Sequence, residues 1–198
     1  MAKFFQKLSN ALLLGVGLLL GLLLVLDFPQ FDQAGWAFLF RWLHVLSGIM
    51  WIGLLWYFNF VQIPSMPSIS DAQKPAITQV IAPRALFWFR WAAVATLVTG
   101  LILAMLSGYL VDALTLGLMD PYASERSVAI GIGMWLGIIM LLNVWAVIWP
   151  HQKRALGIVK ASDAQKKASA TTAMMFSRIN TALSIPMLYS MVSAQNLY

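Results

Sequence analysis

The sequence predicts an all-α fold, a polytopic membrane helix bundle, and three observations carry that expectation. The 198 residues are 61% hydrophobic and only 10% charged, against about 25% charged residues in an average soluble domain, and the mean hydropathy is +0.79. Uncharged runs of spanning length recur along the chain. The run Trp42–Ile63 alone has 22 residues, enough at ~1.5 Å rise per residue to cover the ~30 Å of a bilayer's hydrocarbon core. The segments between runs alternate in charge. We therefore expect a single integral membrane domain over residues 1–198, with five transmembrane helices at about 8–26, 42–63, 88–110, 128–149 and 179–197.

The first span, Leu8–Leu26, follows Lys3 and Lys7 and stays uncharged until Asp27. Its apolar core exceeds that of a signal peptide and ends at no small-residue cleavage site, so a retained helix is predicted. Residues 27–37 read as a short acidic turn containing proline, which makes the first two helices antiparallel neighbours. The second span carries polar groups that an anchor would not need, namely His44, Ser47 and Asn59, with Arg41 at its entrance and Gln62 at its exit. Arg41, His44, Gly48, Trp51 and Leu55 recur at spacings of three and four and share one helix face, which should point inward. Prolines at 64, 67, 75 and 83 predict a stiff connection, with a short surface helix from Ser70.

The third span enters at LFWFRW (86–91), with Trp88 and Trp91 as interfacial anchors and Arg90 either snorkelling or turned inward. Residues 112–127 read as an acidic loop. In the fourth span, which carries Gly131, Gly133 and Gly137, the spacings Gly133 to Gly137 and Gly137 to Leu141 resemble a small-residue packing stripe more than a nucleotide loop, since no strand precedes them. Pro150 ends that helix, a basic helical connection follows, and the last span carries Asn180, Ser184 and Pro186.

Loop charge sets the orientation, because Lys and Arg concentrate on the cytoplasmic side. The N-terminal tail carries +2, residues 27–37 −2, 71–90 +2, 112–127 −2 and 151–178 +5, with Arg41 completing the net +6. The N-terminus is thus expected in the cytoplasm and the C-terminus in the periplasm. The basic balance does not point to nucleic acid, since there is no soluble basic domain to carry a phosphate-binding surface. The absence of cysteine excludes disulfides, thiolate metal sites and covalent haem c in this chain. No Asp or Glu lies inside a span, which argues against a proton-coupled transporter.

This topology sorts the polar residues by depth. Towards the outside, His44 is placed with Met134 and Met187, and also with Met105 and Met191. His with Met is an axial pair that haem iron accepts, and either residue can bind copper, so His44 is a candidate metal ligand and Met134 and Met187 candidate cofactor contacts. The competing reading makes His44 an interhelical hydrogen-bonding group and the methionines ordinary core. Towards the inside lie Asn59, Gln62, Arg90, Asn143, Arg178 and Asn180, which could grip a planar anion through guanidinium and amide contacts. Contact with lipid headgroups and helix–helix hydrogen bonding is the alternative.

The pieces RWLHVLSGIMWIG (41–53), FRW (89–91), NVWAVIWPHQK (143–153) and RINTALSIPML (178–188) together resemble the membrane domain of the bacterial membrane-bound urate oxidase (urate hydroxylase) family, in a short, stand-alone form without the cytochrome c domain. The resemblance implies a multi-pass protein of the bacterial inner membrane, and an oxidoreductase converting urate to 5-hydroxyisourate with electrons passed to a cytochrome. His44, Trp51, Arg90 and Asn143 fall in its motifs. Two functions follow as expectations. One is a redox protein working with a separate cytochrome c, with haem b or copper as cofactor. The other is a non-catalytic accessory or assembly subunit of a respiratory complex, for which a homo-oligomer is also open.

Overall fold

The computed structural model describes residues 2–26, 31–119 and 124–198, and every element among them is helical. The expected turn at 27–30 and the middle of the acidic loop, 120–123, lie outside the described residues. The chain divides into two units, Met1–Trp36 and Ala37–Tyr198. Four helical stretches, Leu8–Leu26, Gln33–Ser68, Ala76–Leu106 and Glu125–Ala155, are long and apolar enough to cross a membrane.

In the first unit, α1 (Ala2–Phe5) is tied to α2 (Leu8–Leu26) by the Asn10 amide, which donates to the Phe4 carbonyl at 2.9 Å. None of the α2 residues is buried. A run of leucines with exposed side chains suits contact with lipid, where apolar side chains need no burial inside the fold. The unit ends as α3 (Gln33–Trp56) begins, where the Asp32 carboxylate accepts from the Gly35 N–H at 2.8 Å and so caps one of the helix's unpaired donors.

In the second unit the expected loops turn out largely helical. After Trp56 the backbone widens into a π turn, Tyr57–Gln62, and then narrows through α4 (Ile63–Ser65) and a 3-10 turn, Met66–Ser68. A second π turn, Ala76–Ile81, leads into α5 (Ala82–Leu106), followed by the short α6 (Leu110–Leu114). The helix α7 (Glu125–Leu142) passes through a third π turn, Asn143–Ile148, into α8 (Trp149–Ala155).

Each π turn ends two residues before a proline, Pro64, Pro83 or Pro150. Proline has no N–H, and in an α-helix its ring strikes the carbonyl four residues back. The wider turn moves that carbonyl aside while its own closing bonds, such as Trp149 N–H to Val144 O, remain in place. Proline therefore does not break these helices, as the sequence reading assumed for 64–85 and at 150. The helices pass through it at the cost of one locally widened turn.

The last helix, α9, runs unbroken from Asp163 to Asn196 behind a capping box formed by Ser162 and Gln165, starting well before the expected 179. Its buried stripe reads Ser169, Ala173, Ser177, Asn180, Ser184, Met187, Ser190 and Ser193. Its outward side carries Ile185, Tyr189 and Val192, each at least 60% exposed. Polar atoms turn in and apolar ones out, which explains why α9 is missing from the four apolar spanning stretches. Serine-lined faces let backbones approach closely, and α9 packs most extensively on α7.

The main core gathers Trp51, Leu55, Phe89, Met140, Val144 and Ile148, all almost fully buried, with Phe58 edge-on to Phe89 at 5.9 Å between ring centroids. A smaller core joins Ala104, Ala113, Ile130, Met134 and Ala194. There a Cβ on Gly131 would meet the Ala113 carbonyl, and one on Gly133 would lie 3.2 Å from the Met191 Cε. Gly137, at the centre of the expected stripe, has nothing within 4 Å of such a Cβ.

Candidate functional site

Arg90 is the least conventional group in the fold. It lies on α5, is only 8% exposed, and places its guanidinium carbon 3.4 Å from the Trp149 ring centroid and 5.9 Å from that of Trp145. The third π turn and α8 supply these indoles, so the widened turn before Pro150 sets where the arginine's platform lies. Stacking on an aromatic face compensates part of the charge's desolvation. It does not satisfy the N–H groups: Nε and Nη1 are buried without a hydrogen-bond partner. Trp145 Nε1, His151 Nδ1 and Gln152 Oε1 on the same helical stretch are also buried and unpartnered, as are Asn59 Oδ1, Gln62 Oε1 and Trp51 Nε1 on the helix of His44. Most buried polar atoms in proteins are paired, so such orphans mark a place where a partner is missing.

The inner residues expected to form one site are divided among separate contacts. Asn143 donates to the Asn180 Oδ1 at 2.9 Å, and the Asn180 amide donates to the Met140 carbonyl at 2.9 Å, a chain that closes α9 onto α7. Asn59 donates to the Leu55 carbonyl at 2.9 Å and to the Ser177 Oγ at 2.8 Å. Arg178 is exposed and borders an open groove with Ile63, Pro64, Met66, Pro67, Lys74 and Met174. Trp51, 2% exposed, belongs to the main core.

His44 faces α5. Its Nδ1 lies 2.8 Å from the Thr96 carbonyl. A carbonyl only accepts, so Nδ1 carries the hydrogen, and in the neutral ring Nε2 keeps its lone pair. Gly100 lets the imidazole approach the helix closely, because a Cβ there would lie 2.8 Å from Cε1. Met134 belongs to the smaller core and Met187 to the main one. The two methionines thus lie in different clusters. Among the described residues no three His, Cys, Asp or Glu side chains come together.

A second polar cluster escaped the sequence reading. Arg41 Nη1 and Arg126 Nη2 each donate to the same Gln195 Oε1 at 3.2 Å, beside a cavity of about 240 Å³. The signal was available, since Arg41 and Arg126 are the two cations on the side that loop charge assigns to the periplasm.

Comparison with curated proteins and with solved structures gives no match. The family model described as urate oxidase N-terminal matches residues 111–197. That stretch holds α7, the third π turn, α8 and α9, including Asn143, Trp145, Trp149, Arg178 and Asn180, whereas His44 and Arg90 precede it. The four long apolar helices among the described residues are compatible with a membrane protein, and over residues 111–197 the chain is similar to the urate oxidase N-terminal family.

Proposed function

We propose that this chain is a multi-pass protein of the bacterial inner membrane that binds a planar anion, urate being the leading candidate, against Arg90, and that it works as an oxidoreductase with a separate cytochrome c as electron acceptor. The observation that carries the reading is the buried Arg90 guanidinium stacked on Trp149 with two unpartnered nitrogens. A flat oxyanion can accept from such nitrogens while lying among indole faces. The family match over the neighbouring helices supports urate. In the balanced half-reaction urate and water give 5-hydroxyisourate, two protons and two electrons, and the electrons pass to the cytochrome. Arg90 holds the anion beside the indoles of Trp145 and Trp149, and the bond between Asn143 and Asn180 fixes α9 on α7.

The proposed topology has five spans, with the N-terminus in the cytoplasm. The inverted polarity of α9, serines inward and Ile185, Tyr189 and Val192 outward, supports its being the fifth span. His44 is proposed as the ligand of haem b or copper through Nε2, because a carbonyl-tied Nδ1 is the usual partner arrangement of a metal-binding imidazole. Its readout is a Soret or copper band in purified protein that vanishes in His44→Ala.

The binding assignment is tested by urate quenching of tryptophan fluorescence in detergent-purified protein. Losing a charge-assisted hydrogen bond should weaken binding at least about tenfold in Arg90→Ala. Arg84→Ala, six residues earlier on α5, should bind like the parent. Equal affinity in the parent and Arg90→Ala would refute the assignment, and failure to reduce ferricytochrome c despite tight binding would refute the redox role alone.

A further inference from the structure

The outer cluster has a chemistry of its own, independent of the Arg90 site. Arg41 comes from α3, Arg126 from the first turn of α7 and Gln195 from the end of α9, so three helices bring two guanidiniums to one neutral oxygen. One amide oxygen is a poor match for two cations, because each guanidinium is built to meet a carboxylate or phosphate edge with parallel bonds. Among the described residues the ion pairs are Lys74–Asp71 and Lys166–Asp163, and neither includes these arginines. Asp112 and Glu125 are the acidic residues on α6 and α7, and neither is in an ion pair among the described residues.

The cavity beside them is lined mainly by polar residues, Ser107, Tyr109, Ser124, Arg126, Ser127 and Gln195. Its volume of about 240 Å³ suits a small oxyanion. Hydroxyl groups can turn to donate to an anion, and the N-terminus of α7 adds its positive end. Burial holds the Tyr109 hydroxyl above the ordinary tyrosine pKa against the pull of both arginines, so it stays a neutral donor at physiological pH.

We propose that Arg41, Arg126 and Tyr109 form an oxyanion site of phosphate-like chemistry, with Gln195 as the internal stand-in that holds the two arginines together when the anion is away. Such an oxygen edge is offered by free phosphate and by a phospholipid headgroup alike.

The test uses the full chain purified in a maltoside detergent and follows thermal unfolding. One arm adds inorganic phosphate at constant ionic strength, with chloride as the control. The other adds phosphatidylglycerol in mixed micelles. A midpoint raised by phosphate identifies a free-anion site, and one raised by phosphatidylglycerol alone identifies a headgroup site. In either case Arg41→Gln and Arg126→Gln should each weaken the response at least about tenfold in ligand concentration. Gln195→Glu, which places a tethered carboxylate between the arginines, should raise the midpoint without ligand and abolish the response. It also serves as the variant that tests the idea if an arginine replacement fails to fold. No response in the parent protein to either probe, or an undiminished response in Gln195→Glu, overturns the proposal.

Discussion

Replacing Gly100 with alanine tests the packing around His44 most directly. The added Cβ would stand 2.8 Å from Cε1 and 2.9 Å from Nδ1 of the imidazole, well inside ordinary van der Waals contact. The ring must move, and moving it stretches the bond to Thr96. Overpacking of this kind costs about 1–3 kcal/mol, and the weakened hydrogen bond adds about 1 kcal/mol. Alanine returns roughly 0.8–1 kcal/mol through its better helix propensity. The net expectation is a loss of about 1–3 kcal/mol. In a His44→Ala background the obstacle is gone and only the propensity gain remains, so the same change should stabilise by about 1 kcal/mol. A double-mutant cycle from reversible unfolding in mixed micelles, followed by helical circular dichroism, measures the difference. A coupling energy within ~0.5 kcal/mol of zero, the range of independent sites, would mean that the two residues do not meet as described.

Three further substitutions separate contact from coincidence. Gly131→Ala should destabilise by about 1–3 kcal/mol, because its Cβ meets the Ala113 carbonyl and a backbone atom cannot step aside. Gly137→Ala, with open space around it, should be neutral or stabilising by up to ~1 kcal/mol, and equal costs at the two positions in the same unfolding assay would refute the assignment. Asn180→Ala removes two hydrogen bonds made by a fully buried side chain and leaves the half-buried Asn143 amide without its partner on α9. It should cost about 1–3 kcal/mol in that assay, whereas a change under ~0.5 kcal/mol would show that water replaces the bonds.

Helix positions in the apolar stretches were legible because length and hydropathy report them directly. The continuity of helix through Pro83 and Pro150 was not, because proline in a sequence reads as a stop and its accommodation depends on the π turns before it. The early start of α9 was hidden for another reason. Residues 163–178 are polar, and only their packing on neighbouring helices shows that Ser169, Ala173 and Ser177 continue the same buried stripe. At the site, composition identified Arg90 as a decision between lipid and interior, and the indoles of Trp145 and Trp149 decide it, residues that the sequence gives no reason to pair with it. Asn143 and Asn180 were visible as polar residues at one depth. Their bonding to each other in place of a ligand is a matter of side-chain direction.

The three π turns bear on how this chain can change length. A single residue inserted into an α-helix rotates everything beyond it by about 100°, which would carry a buried face out of the core. A π turn is such an insertion already absorbed, and each one here is matched to a proline two residues on. Deleting Val147 would restore an α turn but return the carbonyl four residues before Pro150 to the path of its ring. Replacing Pro150 alone would leave a residue without a place in the α repeat. Only the two changes together lead to an uninterrupted helix, so each proline and its extra residue should be gained and lost as a pair, and a chain lacking one would be expected to lack the other.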